Sequence, residues 1–237
     1  MNGEAFVERL RQILQKMGIA FEDAAAYRLA RFNAMVYARN RTQNLTAIGE
    51  ADSPLMNFAD SMASLPYIEG AGKACDIGSG AGFPGIVLAI ARPGVMFTLL
   101  EAQKKRAGFL CDAVRELGLE NAEAVHIRAE EAGRDPSYRE RFDVVVARAL
   151  AAAPVLCEYA MPLLRVGGRM IAYKGALAKN EAQGAHRALQ TLGGAEARMV
   201  PAGVPGLGHT LFIAEKTGKT PDKYPRRAGV PKKKPIA

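Results

Sequence analysis

The feature that most restricts the fold is an alternation beginning near residue 73, in which short apolar runs take turns with helix-period segments. Residues 73–77, 95–100, 122–127, 142–147 and 168–173 read as strands. Between them, residues 84–91, 103–117 and 154–164 read as helices, and 177–192 as a helix after the fifth strand. The run at 142–147 (Phe-Asp-Val-Val-Val-Ala) is almost wholly apolar, as a strand covered on both faces must be. Strands separated by helices pair in parallel, because a right-handed crossover returns each strand to the same sheet. Residues 195–200 and 210–214 read as two more strands, paired antiparallel across a short connection. The expectation is an α/β fold: seven strands, mostly parallel, with helices on both faces.

The ends of the chain read differently. Residues 4–17 and 22–38 carry apolar positions at helical spacing, and 53–65 reads as a third helix capped by Ser53 with Pro54 at its first position. Three regions follow: a helical extension over 1–70, an α/β domain over 71–216, and a tail over 217–237. Pro221, Pro225, Pro231 and Pro235 exclude the tail from helix or central strand.

Composition sharpens this division. Hydrophobic residues are 49% of the chain, enough for a sizeable core, which excludes wholesale disorder. The net charge is +8, yet residues 215–237 hold +6 of it. A near-neutral body with a basic end points to a polyanionic partner. Arg226, Arg227, Lys232, Lys233 and Lys234 are the candidate phosphate contacts, on a tail that is either a solvated terminus or a strap across the body. No run reaches the ~18 apolar residues that span a bilayer; 149–166 comes closest and is broken by Pro154, Glu158, Pro162 and Arg165. Glu4, Glu8, Arg9 and Arg11 argue against a secretory signal. Cys75, Cys111 and Cys157 form neither a disulfide framework nor a zinc spacing, so no metal and a reducing, cytoplasmic location are expected.

The segment Asp76-Ile77-Gly78-Ser79-Gly80-Ala81-Gly82-Phe83-Pro84-Gly85 links the first strand to its helix. Glycines there let the backbone turn tightly and approach a ligand. The spacing is GxGxG, with Phe83 where a dinucleotide fingerprint needs glycine, and no GK[ST] follows. Asp76 at the strand end would repel a pyrophosphate and attract a cation. Glu101 closes the second strand, where a carboxylate accepts the hydroxyls of a ribose. A ligand with a ribose, a positive charge and no phosphate is S-adenosylmethionine. The bland alternative is a strand-to-helix turn with no ligand.

Three further strand ends lie at the same sheet edge. Ala129 and Glu130 follow the third strand, beside the adenine end of such a ligand. Arg148 follows the fourth and Lys174 the fifth, forming a positive lip suited to a phosphate or a guanine edge. Each also has a plain reading: a solvated acidic loop, a salt-bridging arginine. His126, His186 and His209 are scattered and read as local structural residues.

At these residues the sequence resembles the RsmG (GidB) family, the small-subunit (16S) ribosomal RNA guanine-N7 methyltransferases. The matching pieces are Asn44-Leu45-Thr46, Asp60-Ser61, the loop from Asp76 to Gly85, Leu99-Leu100-Glu101 with Lys105-Arg106, Arg148-Ala149, Lys174-Gly175, and Tyr224 through Pro231. The resemblance runs from about residue 40 to the end. It implies a Rossmann-like class I methyltransferase domain with an N-terminal helical extension. It also implies methyl transfer from S-adenosylmethionine to a guanine of small-subunit rRNA, bare or within a ribonucleoprotein. By that analogy Gly78, Phe83, Ala129, Glu130 and Arg148 line the cofactor site, to which the reading of the loop and strand ends adds Asp76, Gly80 and Glu101; Arg148 is the candidate positioning residue in catalysis. The family often has His before Asp60-Ser61, where this chain has Asn57. Other methyl acceptors, and a non-catalytic assembly factor that keeps the fold, remain alternatives. A monomer is the favoured state.

Overall fold

The computed structural model describes residues 2–175 and 178–236. Seven strands form one sheet: β1 (Lys73–Ile77), β2 (Met96–Glu101), β3 (Ala122–His126), β4 (Phe142–Arg148), β5 (Leu164–Lys174), β6 (Arg198–Pro201) and β7 (Thr210–Glu215). Their order is β3-β2-β1-β4-β5-β7-β6. Pairings from β3 through β5 are parallel; β7 runs antiparallel to both β5 and β6. Order reverses between β1 and β4, the switch point at which open α/β sheets bind ligands.

Two cores flank the sheet. One face packs against α1 (Gly3–Lys16), α2 (Asp23–Gln43) and the turns that follow them, so Phe6, Phe32, Phe58 and Phe83 share a core with Leu99, Val146 and Ile213. The other face, with Cys75, Val145 and Ala172, packs against α7 (Ala153–Ala160) and α8 (Ala178–Leu192). The helical N-terminal region is therefore continuous with the sheet's core. The helices α4 (Gly85–Ala91) and α5 (Lys104–Glu116) complete the crossovers.

Some boundaries differ from expectation. The helix α2 runs on to Gln43, through a polar stretch, and stops where Asn44 turns left-handed at φ 47°. The segment expected as one helix over 53–65 is preceded by a 3-10 turn (Glu50–Asp52) and is itself broken into a π-helix (Pro54–Ala59), a short α3 (Asp60–Met62) and the start of a second 3-10 turn (Leu65–Tyr67). Ser53 is not a cap: its hydroxyl is buried and donates to Asn33 Oδ1 at 2.8 Å. The strand β5 starts at Leu164, earlier than its glycines imply. A Cβ at Gly168 would lie 2.8 Å from the Asp143 carbonyl, so glycine is what lets β5 approach β4 across a register shift. Residue 177, the expected start of the eighth helix, lies outside the described residues. The tail does contain a helical turn, α9 (Val230–Lys233), because Pro231 sits in its first turn, where its missing N–H has no partner to lose.

Candidate active site

A cleft of about 1120 Å³ opens along the carboxyl ends of the parallel strands. Gly78, Gly80, Phe83 and Glu101 line it, as do Ala129, Glu130, Arg148, Lys174 and Lys232. Asp76, Arg226, Arg227, Lys233 and Lys234 do not.

The glycine loop is held from beneath by two carboxylates. Asp76 is fully buried and its Oδ2 accepts the Gly85 N–H at 2.9 Å. Its Oδ1 is buried without a hydrogen bond. Burial pushes the carboxyl up to about 7, against the opposing pull of the Gly85 N–H. Asp76 therefore supports the loop from inside instead of facing a cationic ligand as expected. Gly85 closes this support: a Cβ there would lie 2.6 Å from Asp76 Oδ2. Glu101 does face the cleft. Its Oε2 accepts Gly80 N–H at 2.9 Å and its Oε1 accepts Gln103 N–H at 2.7 Å, leaving a further lone pair on each oxygen. At Gly78, φ is +69° and a Cβ would meet Leu150 at 2.6 Å, so glycine both makes the turn and lets Leu150 pack against the loop.

Past β3, the short helix α6 (Ala129–Ala132) presents Ala129 and Glu130. Glu130 is nearly buried, and its Oε1 accepts the Gly229 N–H at 2.9 Å. The tail thus forms part of the cleft, and Gly229 and Lys232 are wall residues. The opposite wall comes from Leu45, Thr46, Ala47 and Ile48. Asn40 shapes that turn by exchanging two hydrogen bonds with the backbone of Thr46, at 2.9 and 3.0 Å.

Arg148 is not a free cation. It donates to the Met56 carbonyl at 2.9 Å, to Asp60 Oδ2 at 3.1 Å and to Asn57 Oδ1 at 3.1 Å, with its guanidinium over the Phe83 ring. It clamps the segment 56–60 onto the sheet edge. Asn57 is fully buried within that clamp, where its Oδ1 accepts from Arg148. Tyr173 adds a second tie, its hydroxyl 2.5 Å from the Ser61 carbonyl and 2.6 Å from Ser64 Oγ.

The basic residues divide into two groups. Lys174 is not an open lip: its Nζ donates to the Ala151 carbonyl at 2.8 Å and pairs with Glu181 at 2.6 Å. Arg226 is not a surface contact either. It makes a bidentate pair with Glu158, which is fully buried in α7. Lys216, part of the tail's charge, is buried between Glu140 Oε1 and the Met161 carbonyl. Burial lowers its pKa despite the Glu140 contact. Arg227, Lys232, Lys233 and Lys234 are exposed.

Sequence reasoning missed Asp60 and His209 as cleft residues. Asp60 is 2% exposed and its Oδ1 lies 2.8 Å from His209 Nδ1. The available signal was position, since His209 directly precedes β7 at the edge carrying Lys174. Among the described residues no cluster of His, Cys, Asp or Glu could hold a metal, and no helix is long and apolar enough to cross a membrane.

The family model described as GidB, rRNA small subunit methyltransferase G, matches residues 26–206. The chain is 41% identical over 234 residues to the ribosomal RNA small subunit methyltransferase G of Pelotomaculum thermopropionicum, covering 97% of this chain and 98% of that one. Its namesake in Leuconostoc citreum is 40% identical over 243 residues, covering 100% of both. Among solved structures, the O-methyltransferase from Bacillus cereus in complex with SAH gives a TM-score of 0.54 at 18% identity, covering 78% of this chain and 91% of that one. A Corynebacterium glutamicum protein gives 0.55 at 17%, covering 90% and 97%. At such identities the structural likeness concerns the fold alone.

Proposed function

Because the chain belongs to the GidB family, rRNA small subunit methyltransferase G, we propose that it methylates the N7 of a guanine in small-subunit (16S) rRNA. It is a methyltransferase of small-subunit rRNA, and its methyl donor is S-adenosylmethionine. The choice of base and atom is the part proposed.

The residues present fit that donor. The open lone pairs of Glu101 suit a ribose, the glycine loop lets its backbone approach a ligand, and Ala129 and Glu130 face the adenine end. When bound, S-adenosylmethionine supplies an electrophilic methyl group on a sulfonium. The chain's own work is alignment and exclusion of water. Guanine N7 carries a lone pair and no proton, so the chain needs no obligatory general base. The walls agree with that demand, because Arg148 and Lys174 are tied to acceptors and Cys75 and Cys157 are buried. Arg148 acts as a positioning residue: it holds the wall at 56–60, with Asp60 and Asn57, against the ends of β4 and β5.

The observation that carries this reading is the cleft's reach. It runs from Glu101 on β2, past β1, β4 and β5, to His209 before β7. Four strand spacings of about 4.8 Å make roughly 19 Å, room for a nucleobase beside the donor. The exposed Arg227 and Lys232–Lys234 supply phosphate contacts at its rim. The setting inferred is cytoplasmic, with a monomer acting on rRNA inside a ribonucleoprotein. The test is to incubate the protein and labelled S-adenosylmethionine with small subunits lacking the modification, then digest the rRNA to nucleosides. Labelled 7-methylguanosine is expected; a different methylated nucleoside, or none, overturns the reading.

A further inference from the structure

We propose that His209 reads the Watson–Crick edge of the target guanine, with Asp60 fixing the imidazole so that Nε2 accepts the base's N1–H. This rests on the guanine-N7 reading above and extends it to a residue that selects the base.

The placement comes from topology. Glu101 and the glycine loop occupy the β2–β1 end of the cleft, where the donor's ribose belongs. His209 lies at the other end: Thr210 pairs with Lys174, so His209 stands at the carboxyl edge of β5. Its backbone is fixed by an Ala202 N–H bond to the His209 carbonyl at 2.9 Å. Its side chain is 35% exposed and lines the cleft.

The chemistry comes from the partner. An ionised carboxylate only accepts hydrogen bonds, so Asp60 Oδ1, 2.8 Å from Nδ1, requires the proton on Nδ1. In the neutral ring Nε2 is then an acceptor. Among the described residues no hydrogen bond uses it. Asp60 itself cannot turn away, because Oδ2 is held by Arg148 at 3.1 Å. The result is a fixed acceptor in the half of the cleft left for the base.

Guanine offers that acceptor N1–H, a donor on the side of the ring away from N7. Adenine offers a lone pair at N1, which Nε2 repels. The same contact strengthens during the reaction. As N7 forms its bond to the methyl carbon and the bond to sulfur breaks, positive charge spreads into the purine and N1–H becomes a better donor. An acceptor already in place favours that state over the ground state.

The test uses reconstituted small-subunit particles carrying either guanosine or 1-methylguanosine at the target position. Both are offered to the wild-type protein and to His209→Asn, whose amide nitrogen keeps the Asp60 bond while Nε2 is removed. Wild type should lose roughly 10- to 100-fold in kcat/KM on 1-methylguanosine. H209N should lose a similar factor on guanosine but no more than about twofold further on 1-methylguanosine. Its KM for S-adenosylmethionine should match wild type. Equal wild-type rates on both particles, an H209N rate equal to wild type, or losses that multiply would each overturn the proposal. The product separates it from the reading beneath it. Anything other than 7-methylguanosine sinks the base assignment, whereas 7-methylguanosine made equally well by H209N sinks the role of His209 alone.

Discussion

Two walls of the cleft are fastened to the sheet in the same way, and they differ in how much redundancy each has. The N-terminal wall is held by Arg148 on Asp60; the C-terminal wall is held by Arg226 on Glu158. Both carboxylates are buried, at 2% and 0% exposure. Asp60 has a second hydrogen-bond partner in His209, while Glu158 receives, among the described residues, all its hydrogen bonds from Arg226, side chain and backbone. A shared carboxylate can lose one arginine and remain partnered. An unshared one cannot, so the tail is the more brittle attachment, although it looks in the sequence like the more dispensable part.

The sharpest way to break this comparison is Arg226→Ala. It leaves a buried Glu158 with only a backbone N–H, and should cost about 3–5 kcal/mol in chemical denaturation. Arg148→Ala should cost less, about 2–3 kcal/mol, because His209 still partners Asp60. It should nonetheless abolish methylation, since the wall at 56–60 loses its tie to β4. Equal costs for the two variants would mean that His209 adds no redundancy.

A smaller effect concerns the support beneath the glycine loop. Asp76 is raised to about 7, above its ordinary value near 4, so the folded state binds the extra proton between those values. Its contribution therefore falls as pH rises from 4 to 7, by up to about 1.4 kcal/mol per unit, and levels off above 7. Glu140 and Asp143 act in the opposite sense. Burial would raise them, but Lys216 and Arg165 hold them low, so their stabilisation is lost as pH falls below the ordinary carboxylate range. Subtracting the pH–stability curve of Asp76→Asn from that of wild type isolates the Asp76 slope; a flat difference would refute it.

The smallest effect on stability belongs to the exposed cluster. Replacing Arg227, Lys232, Lys233 and Lys234 together by Ala should change stability by no more than about 0.5 kcal/mol. RNA affinity should fall, and the log–log salt slope should become shallower by up to about 3. An unchanged slope would remove the tail from phosphate binding and leave it purely structural.

These contrasts mark what the sequence could show. The parallel sheet was legible because residues 142–147 must be covered on both faces, and because each glycine cluster or loop falls where a strand ends. Gly78, Gly80, Glu101, Ala129 and Glu130 were legible for the same reason: a position just after a strand is a local property. The clamps were not. Arg148 and Asp60 are 88 residues apart, Arg226 and Glu158 are 68, and His209 and Asp60 are 149. Nothing in local spacing distinguishes an arginine that will find a buried carboxylate from one that stays in water. The tail's charge was read as one pool, whereas folding withdraws Lys216 and Arg226 from it.

The bond from Gly229 to Glu130 carries a consequence for biosynthesis. The ribosome makes a chain from its N-terminus, and domains begin to fold as they emerge. Every strand of the sheet precedes Gly229 in the chain, so the sheet can be complete while one side of the cleft is still missing. The cleft is closed on that side only when the residues after β7 have been made and docked. Competence to modify rRNA is thus a late event in the life of each molecule, arriving after its architecture is already in place.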